Sequence, residues 1–272
     1  MIAAGLGLAI VSTIAINGGY ALQHTAASAL PPLSLRRPLA SLRSLVSNRS
    51  WLGGFLGGIG GWVLYVAALR LAPLSLVQAA SAGGIAILAV GVGRLRTHER
   101  IGVGAAGLGL LLLALSLGPH PAPGHAGSFA VALWMTASVA AAGAAILALP
   151  RGAGLATTAG VLYAAGDVGT KAAVVGGMRV LFAPAVLSAH GLAFVCMQLA
   201  FQRGGRLATA GLAVLWTNAL PILAGTALFA EGIPDGWRGA VRVAAFALVL
   251  VGAVALGRQF DAPKTVATLS ID

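Results

Sequence analysis

The chain alternates between long apolar runs and short polar gaps. Each run is close to the roughly 20 residues that a helix needs to cross the hydrocarbon core of a bilayer. The runs therefore predict an all-α integral membrane protein with nine transmembrane helices. They cover 2–22, 51–69, 73–92, 101–117, 128–149, 155–175, 181–201, 207–229 and 240–256.

Composition supports a membrane protein and excludes other classes. Hydrophobic residues make up 58% of the 272 positions and charged residues only 8%, with a mean hydropathy of +0.94. Soluble domains carry about a quarter charged residues, and disordered chains are polar and charge-rich. The chain has neither a phosphate-binding G-x-x-x-x-G-K-[ST] loop nor clustered catalytic residues. We therefore expect no enzymatic activity and no cofactor, and the lone Cys196 excludes a disulfide framework.

Basic residues predict the orientation of the helices. The gap 31–50 is polar and contains four arginines without an acidic residue. With nine spans, alternation places twelve Lys and Arg on the side of this gap and four on the other. Because cytoplasmic loops are enriched in Lys and Arg, we expect the N-terminus outside and the C-terminus in the cytoplasm of a plasma or inner membrane. No basic residue precedes the first run, so we interpret it as a retained helix.

Weak internal symmetry relates the two halves of the chain. Glu99 and Glu231, the only glutamates, lie 132 residues apart, each just past an apolar run, and the same offset places 68–71 over 200–203. An offset of 148 places 18–23 over 166–171. Helices 1–4 thus match helices 6–9, with helix 5 between them. Matching helices are five apart, an odd number, which predicts an inverted-topology repeat typical of secondary transporters.

The repeat divides the chain into segments. We expect a first four-helix repeat over 1–118, an external loop and linking helix 5 over 119–150, a second, inverted repeat over 151–257, and a cytoplasmic tail over 258–272. Glycines at 53, 54, 57, 58 and 61 give overlapping G-x-x-x-G spacings in helix 2. We interpret them as a helix-packing face.

In the order and spacing of several motifs the chain resembles the drug/metabolite transporter superfamily (EamA-like), nearest its nine-helix branch with NIPA-type magnesium transporters. The resembling segments are AALRLAPLSLVQ at 67–78, Glu99 before Ile101-Gly102, VLYAAGD at 161–167 leading to Lys171, and Pro221 followed by Glu231. Together they cover almost the whole chain, from Gly5 to about Leu256.

The resemblance implies a secondary transporter with a central cavity between the two repeats and alternating access. Substrates across the superfamily include amino acids, nucleotide sugars, polyamines, drugs and, in the NIPA branch, magnesium. We expect a small polar solute or metabolite, with a NIPA-like magnesium transporter as the alternative and a non-transporting membrane subunit as a remote one. The expected partners are the lipid bilayer and this substrate, not nucleic acid, and a homodimer stays open.

Ionisable residues within spans are costly and mark functional sites by default. Asp167 and Lys171 lie one turn apart on helix 6, acid before base, which is the favourable order for an ion pair. They form either a structural pair facing the bundle interior or a substrate site in which Lys171 contacts an anionic or zwitterionic solute. His190 is a candidate for proton coupling.

Uncharged polar residues extend the predicted substrate site. Gln23 is the first-half match of Lys171, and Asn17, Gln78 and Asn218 also lie within spans. Pro221 follows Asn218, where a local helix break would expose backbone carbonyls. Glu99 and Glu231 are candidate helix-end or gate acids. One intramembrane carboxylate with a lysine nearby suits Mg²⁺ poorly, and the sequence leaves any metal ligands open.

Overall fold

The computed structural model describes residues 2–34, 36–81, 95–116, 126–174, 177–229 and 236–257. These residues form helices and connections, and no strand occurs among them, which confirms the all-α expectation for this part of the chain. The helices are α1 (Ile2–Ala29), α2 (Pro38–Val46), α3 (Arg49–Leu71), α4 (Leu74–Ser81), α5 (Thr97–Leu115), α6 (Ser128–Ala148), α7 (Arg151–Val174), α8 (Ala183–Phe201), α9 (Arg206–Leu228) and α10 (Trp237–Gly257), with a 3₁₀ helix (Gly177–Phe182) before α8.

Five described helices are long and apolar enough to cross a membrane. They are Ala3–Ala29, Arg49–Leu71, Ser128–Ala148, Val180–Phe201 and Ala208–Leu228. These stretches coincide with the first, second, fifth, seventh and eighth predicted runs. The third predicted run, 73–92, is described only as far as Ser81. The protein is thus helical and multi-pass in character.

The segment 31–50, expected to be a polar gap, contains the short helix α2. Pro38 stands at its first turn, where a proline needs no hydrogen-bond donor. Leu45 is buried beside Ala26 and Trp51, whereas Leu39 and Leu42 are 80% and 52% exposed. Leu39, Leu42 and Leu45, spaced three apart, give this helix an apolar side, and the arginines before, within and after it conceal this side in the sequence.

Helix α7 lies in the middle of the bundle. Between Gly152 and Ala172, only Leu155 and Tyr163 are not fully buried. The helix packs against α6, α8 and α9. Its sequence is rich in Ala and Gly, and small side chains allow neighbouring helices to approach closely when no hydrophobic drive exists in lipid. Asp167 and Lys171 of α7 therefore lie inside protein rather than in lipid.

Helices α1 and α3 pack closely together, and glycines make this close approach of their backbones possible. A Cβ added at Gly54 would lie 2.7 Å from the backbone oxygen of Gly19, and one added at Gly61 would lie 3.0 Å from that of Ser12. Gly53 has nothing within 4 Å of such a Cβ. The structure thus narrows the predicted five-glycine face to Gly54 and Gly61, seven residues apart and on one side of α3.

We predict that Gly54→Leu lowers the apparent Tm of the purified protein and Gly53→Leu does not. Overpacking of a tight interface costs about 1–3 kcal/mol, because the backbones of α1 and α3 must separate. Gly53→Leu is the matched control, since it adds the same side chain to the same helix at an open position. Equal effects from the two substitutions would contradict this account of the α1–α3 contact.

Candidate functional site

A cavity of about 430 Å³ lies between six helices. Its walls come from α1, α3 and α4 on one side and from α7, α8 and α9 on the other. Six described aromatic residues line the cavity, and they include all three tyrosines of the chain. The aromatic residues are Tyr20, Phe55, Trp62, Tyr65, Tyr163 and Phe194.

Asp167 supplies a carboxylate to this cavity from the centre of α7. Its side chain is buried, and Oδ2 accepts a hydrogen bond of 3.0 Å from Nε2 of Gln78. The same Gln78 nitrogen donates to the Tyr65 hydroxyl at 2.6 Å. Gln78 therefore joins Asp167 on α7 to Tyr65 on α3, across the two sides of the cavity.

His190 of α8 lies beside Asp167, with Nε2 at 3.5 Å from Oδ1 of the carboxylate. Trp62 donates its indole N–H to this Nε2 at 3.2 Å, so Nε2 acts as an acceptor. Nδ1 lies 3.0 Å from the carbonyl oxygen of Val186, which accepts only from a protonated nitrogen. The ring is thus held between the Trp62 indole and the Asp167 carboxylate on the Nε2 side and the Val186 carbonyl on the Nδ1 side. Gly166 leaves room for the ring, because any Cβ there would overlap it.

Two asparagines present unpaired carbonyl oxygens in the cavity wall. Asn17 Nδ2 donates to the carbonyl oxygen of Thr13 at 2.9 Å, and Asn218 Nδ2 donates to that of Val214 at 2.7 Å. These bonds fix which end of each amide is the nitrogen. Both Oδ1 atoms are buried and without a hydrogen-bond partner. The expected helix break beside Asn218 is absent, since α9 runs continuously across Pro221.

Gln23 also lines the cavity, but its amide is engaged at one end of it. Gln23 Oε1 accepts from Nε2 of Gln198 at 2.6 Å, and Gln198 Oε1 accepts from the indole N–H of Trp51 at 2.8 Å. The Trp51 ring stacks on Phe55 at a centroid distance of 5.2 Å. These side-chain contacts connect α1 and α3 to α8 at the end of the bundle where α1 and α8 terminate.

Lys171 lies near the opposite end and is not among the described residues that line the cavity. Its Nζ donates to the backbone oxygens of Leu69 at 2.8 Å and Ala72 at 2.9 Å. These carbonyls end α3, where the helix dipole is negative, so they suit an ammonium group. The two members of the predicted pair thus have other partners: Gln78 beside Asp167, and the end of α3 for Lys171. Substrate contact by Lys171 stays a prediction.

The candidate gate acids are only partly described. Glu99 is buried in the first turn of α5, and its Oε2 accepts from the backbone N–H of Arg96 at 2.7 Å. A glutamate that reaches back to the residue before a helix is a capping contact. Glu231 lies outside the described residues.

The aromatic wall is the part of the site that sequence reasoning missed. Tyrosines in membrane proteins concentrate at the two interfaces, whereas Tyr20 and Tyr163 lie in mid-helix. Their position within apolar runs was a usable signal. Gln198 was also missed, although it is an amide within a span. Within the described ranges, no three His, Cys, Asp or Glu side chains gather as a metal site.

Comparison with known proteins gives one partial likeness. Over 83 residues the chain is 45% identical to the "Probable magnesium transporter NIPA9" of Arabidopsis thaliana. The match covers 30% of this chain and only 24% of that protein. No family model and no solved structure matches the chain.

We predict that Lys171→Met lowers the apparent Tm, because it leaves the buried carbonyls of Leu69 and Ala72 without their donor. An unsatisfied buried group costs about 1–3 kcal/mol. Arg151→Met is the control, since it removes an exposed cation from the first turn of the same helix. If Lys171→Met keeps the wild-type Tm and loses solute uptake, the lysine acts on substrate instead.

Proposed function

We propose that this protein is a secondary transporter that carries a small solute through the central cavity by alternating access. The observation that carries the proposal is the cavity itself, which contains a buried carboxylate and is enclosed by two sets of three helices. Intramembrane ionisable groups that face such cavities mark substrate or ion pathways. The proposal includes drug/metabolite-type architecture, with nine spans and two inverted repeats joined by α6.

Helix packing supports the inverted repeat. In the proposed repeat, α1, α3, α4 and α5 correspond to α7, α8, α9 and α10. The pair α1–α3 then matches the pair α7–α8, and both pairs pack together. Helices α4 and α9 contact each other, as do α5 and α10, so each of these helices packs on its own counterpart. The cavity takes one wall from α1, α3 and α4 and the other from their counterparts.

Two bridges between the halves close the ends of this arrangement. At one end, Gln23 of α1 binds Gln198 near the end of α8. At the other end, Lys171 of α7 binds the carbonyls that end α3. Gln23 and Lys171 are equivalent in the repeat, and each bridge joins the first helix of one repeat to the second helix of the other. Opening one bridge at a time would expose the cavity to one side and then to the other.

The basic side of the bundle supports the orientation. The arginines of 31–50 adjoin the end where α1 and α8 terminate. We propose that this end faces the cytoplasm of the plasma or inner membrane, with the N-terminus outside. The Gln23–Gln198 bridge would then be the cytoplasmic closure.

Magnesium is the second candidate substrate, and the likeness to NIPA9 favours it. Mg²⁺ keeps several waters and is held through one or two carboxylates. Asp167 and the carbonyl oxygens of Asn17 and Asn218 could contact a hydrated ion. The glutamates would then assist at the two mouths.

Cross-linking tests alternating access. In a Cys196→Ala chain, Gln23→Cys with Gln198→Cys should lose solute uptake into proteoliposomes on treatment with a short bifunctional methanethiosulfonate, and recover it on reduction. The reason is that a covalent bridge holds this end closed. Each single cysteine variant with the same reagent is the control. Full uptake by the cross-linked double variant would overturn the proposed cycle.

Magnesium transport has its own test. Proteoliposomes that contain a Mg²⁺-sensitive dye should show uptake that Asp167→Asn abolishes, if the dication uses this carboxylate. Absence of Mg²⁺ uptake with retained uptake of an organic solute would remove the magnesium alternative. No uptake of any solute in a panel of amino acids, amines and nucleotide sugars would favour the non-transporting subunit.

A further inference from the structure

We infer that the cavity binds a monovalent organic cation: a protonated amine attached to an apolar body. This inference rests on the proposed transport function for its physiological meaning, but its binding chemistry is read directly from the cavity wall. The geometry combines a single buried carboxylate, unpaired acceptor oxygens and aromatic faces.

The polar groups of the wall are suited to an N–H donor. The Asp167 carboxylate accepts from one amide N–H of Gln78 and from the Tyr65 hydroxyl, and its Oδ1 lies 3.5 Å from Nε2 of His190. Asn17 and Asn218 each turn an unpaired oxygen into the buried wall, because their nitrogens are held by backbone carbonyls of their own helices. An ammonium group has three donors and no acceptor. It would satisfy oxygens that otherwise lack hydrogen bonds, and unsatisfied buried acceptors are costly.

Charge balance favours a single positive charge. Among the described residues of the lining, Asp167 is the acidic one, no Lys or Arg is present, and His190 lies with Nε2 at 3.5 Å from the carboxylate. The ammonium of Lys171 is bound to the negative end of α3. A polyamine would bring surplus charges into this wall, and an amino acid would bring a carboxylate without a cationic partner there.

The aromatic wall supports an organic cation over a metal ion. Trp62, Tyr20, Tyr65 and Tyr163 surround the space before Asp167. Aromatic faces attract cations, most strongly when the cation is desolvated, and they pack against apolar bodies. A hydrated Mg²⁺ instead needs hydrogen-bond acceptors around its waters, which ring carbons do not supply.

The cavity also reaches the lipid-facing surface. Ile59 of α3 and Leu187 of α8 both line it, yet they are 47% and 63% exposed. Between these helices the seam is bridged by side chains, with the Phe55 and Phe194 ring centroids 5.4 Å apart. An amine with an apolar body partitions into a bilayer and could reach the cavity through this side, whereas a dication could not.

Binding of three matched probes tests the inference. We expect the full-length protein in detergent to bind benzylammonium, measured by calorimetry and by a rise in apparent Tm. Benzyl alcohol has the same ring without the charge and should not bind. Asp167→Asn should weaken benzylammonium binding on the order of 100-fold or more, since a buried charge loses its partner. Asp261→Asn, which removes one acid from the C-terminal tail, is the charge-matched control.

Further variants separate the contributions of rings and amides. Trp62→Leu should weaken binding by about threefold to thirtyfold, and Trp62→Phe by less, because phenylalanine keeps an aromatic face. Trp237→Leu replaces an exposed tryptophan and serves as the control. Asn17→Ala should weaken benzylammonium more than benzyltrimethylammonium, which has no N–H to donate. The quaternary probe therefore isolates the hydrogen bonds from the charge.

Several results would overturn the inference. These are equal binding of benzyl alcohol and benzylammonium, unchanged binding in Asp167→Asn with a wild-type Tm, or displacement of benzylammonium by millimolar Mg²⁺ in an Asp167-dependent way. The proposed function is judged separately in proteoliposomes. If the protein takes up Mg²⁺ or an amino acid but does not bind amines, this inference is wrong and the proposed transport function is retained. Amine binding without uptake of any solute supports the site and refutes transport.

Discussion

The interior of a bilayer offers no hydrogen bonds, so every polar group that this chain places there must find its partner within the protein. The consequences are clearest on α7, whose Asp167 and Lys171 are both buried. A lipid-facing position for either residue would leave a charge in hydrocarbon. The helix with these residues is therefore surrounded by α6, α8 and α9, and its Ala- and Gly-rich sequence lets those neighbours approach. The position of the cavity follows, because it opens beside the carboxylate of this central helix.

The two bridges between the halves differ in strength, and this difference bears on motion. A bond between two neutral amides contributes about 1 kcal/mol, whereas bonds made by a charged donor contribute about 1.5–3 kcal/mol. The hydrogen bond between Gln23 and Gln198 is thus the weaker of the two bridges. The rings of Trp51, Phe55 and Phe194 add packing at the same end of the bundle. Conformations of a transporter interconvert readily when they differ by only a few kcal/mol. The backbones of α1 and α3 lie very close to each other at their glycines. We therefore expect these two helices to move as one unit.

The likeness to NIPA9 and the chemistry of the cavity bear on different questions. A match over 83 residues concerns shared ancestry of part of the chain, and a fold by itself does not fix a substrate. The ligand is decided by the few side chains that face the cavity. Here those side chains include six aromatic rings, four amides, one carboxylate and one imidazole, with hydroxyl and aliphatic groups between them. They discriminate by charge and by apolar contact, two properties on which a hydrated dication and an organic amine differ most.

The amino-acid sequence by itself determined that the chain is helical, where its apolar runs lie, and which polar residues enter them. Length and hydropathy suffice for this, because a spanning helix satisfies its own backbone and needs only an apolar surface. Asn17, Gln78, Asp167 and Asn218 were predictable as residues of the bundle interior for the same reason, since polar side chains within spans rarely face lipid. The amphipathic helix α2 was hidden because it is short and arginines lie before, within and after it. The tertiary structure alone decided which groups meet. Spacing along one helix suggested that Lys171 pairs with Asp167, but contacts from other helices bring Gln78 and His190 to the carboxylate and the end of α3 to the ammonium. Likewise, three tyrosines far apart in the chain converge on one cavity, because packing of whole helices, and not local sequence, fixes which faces look inward.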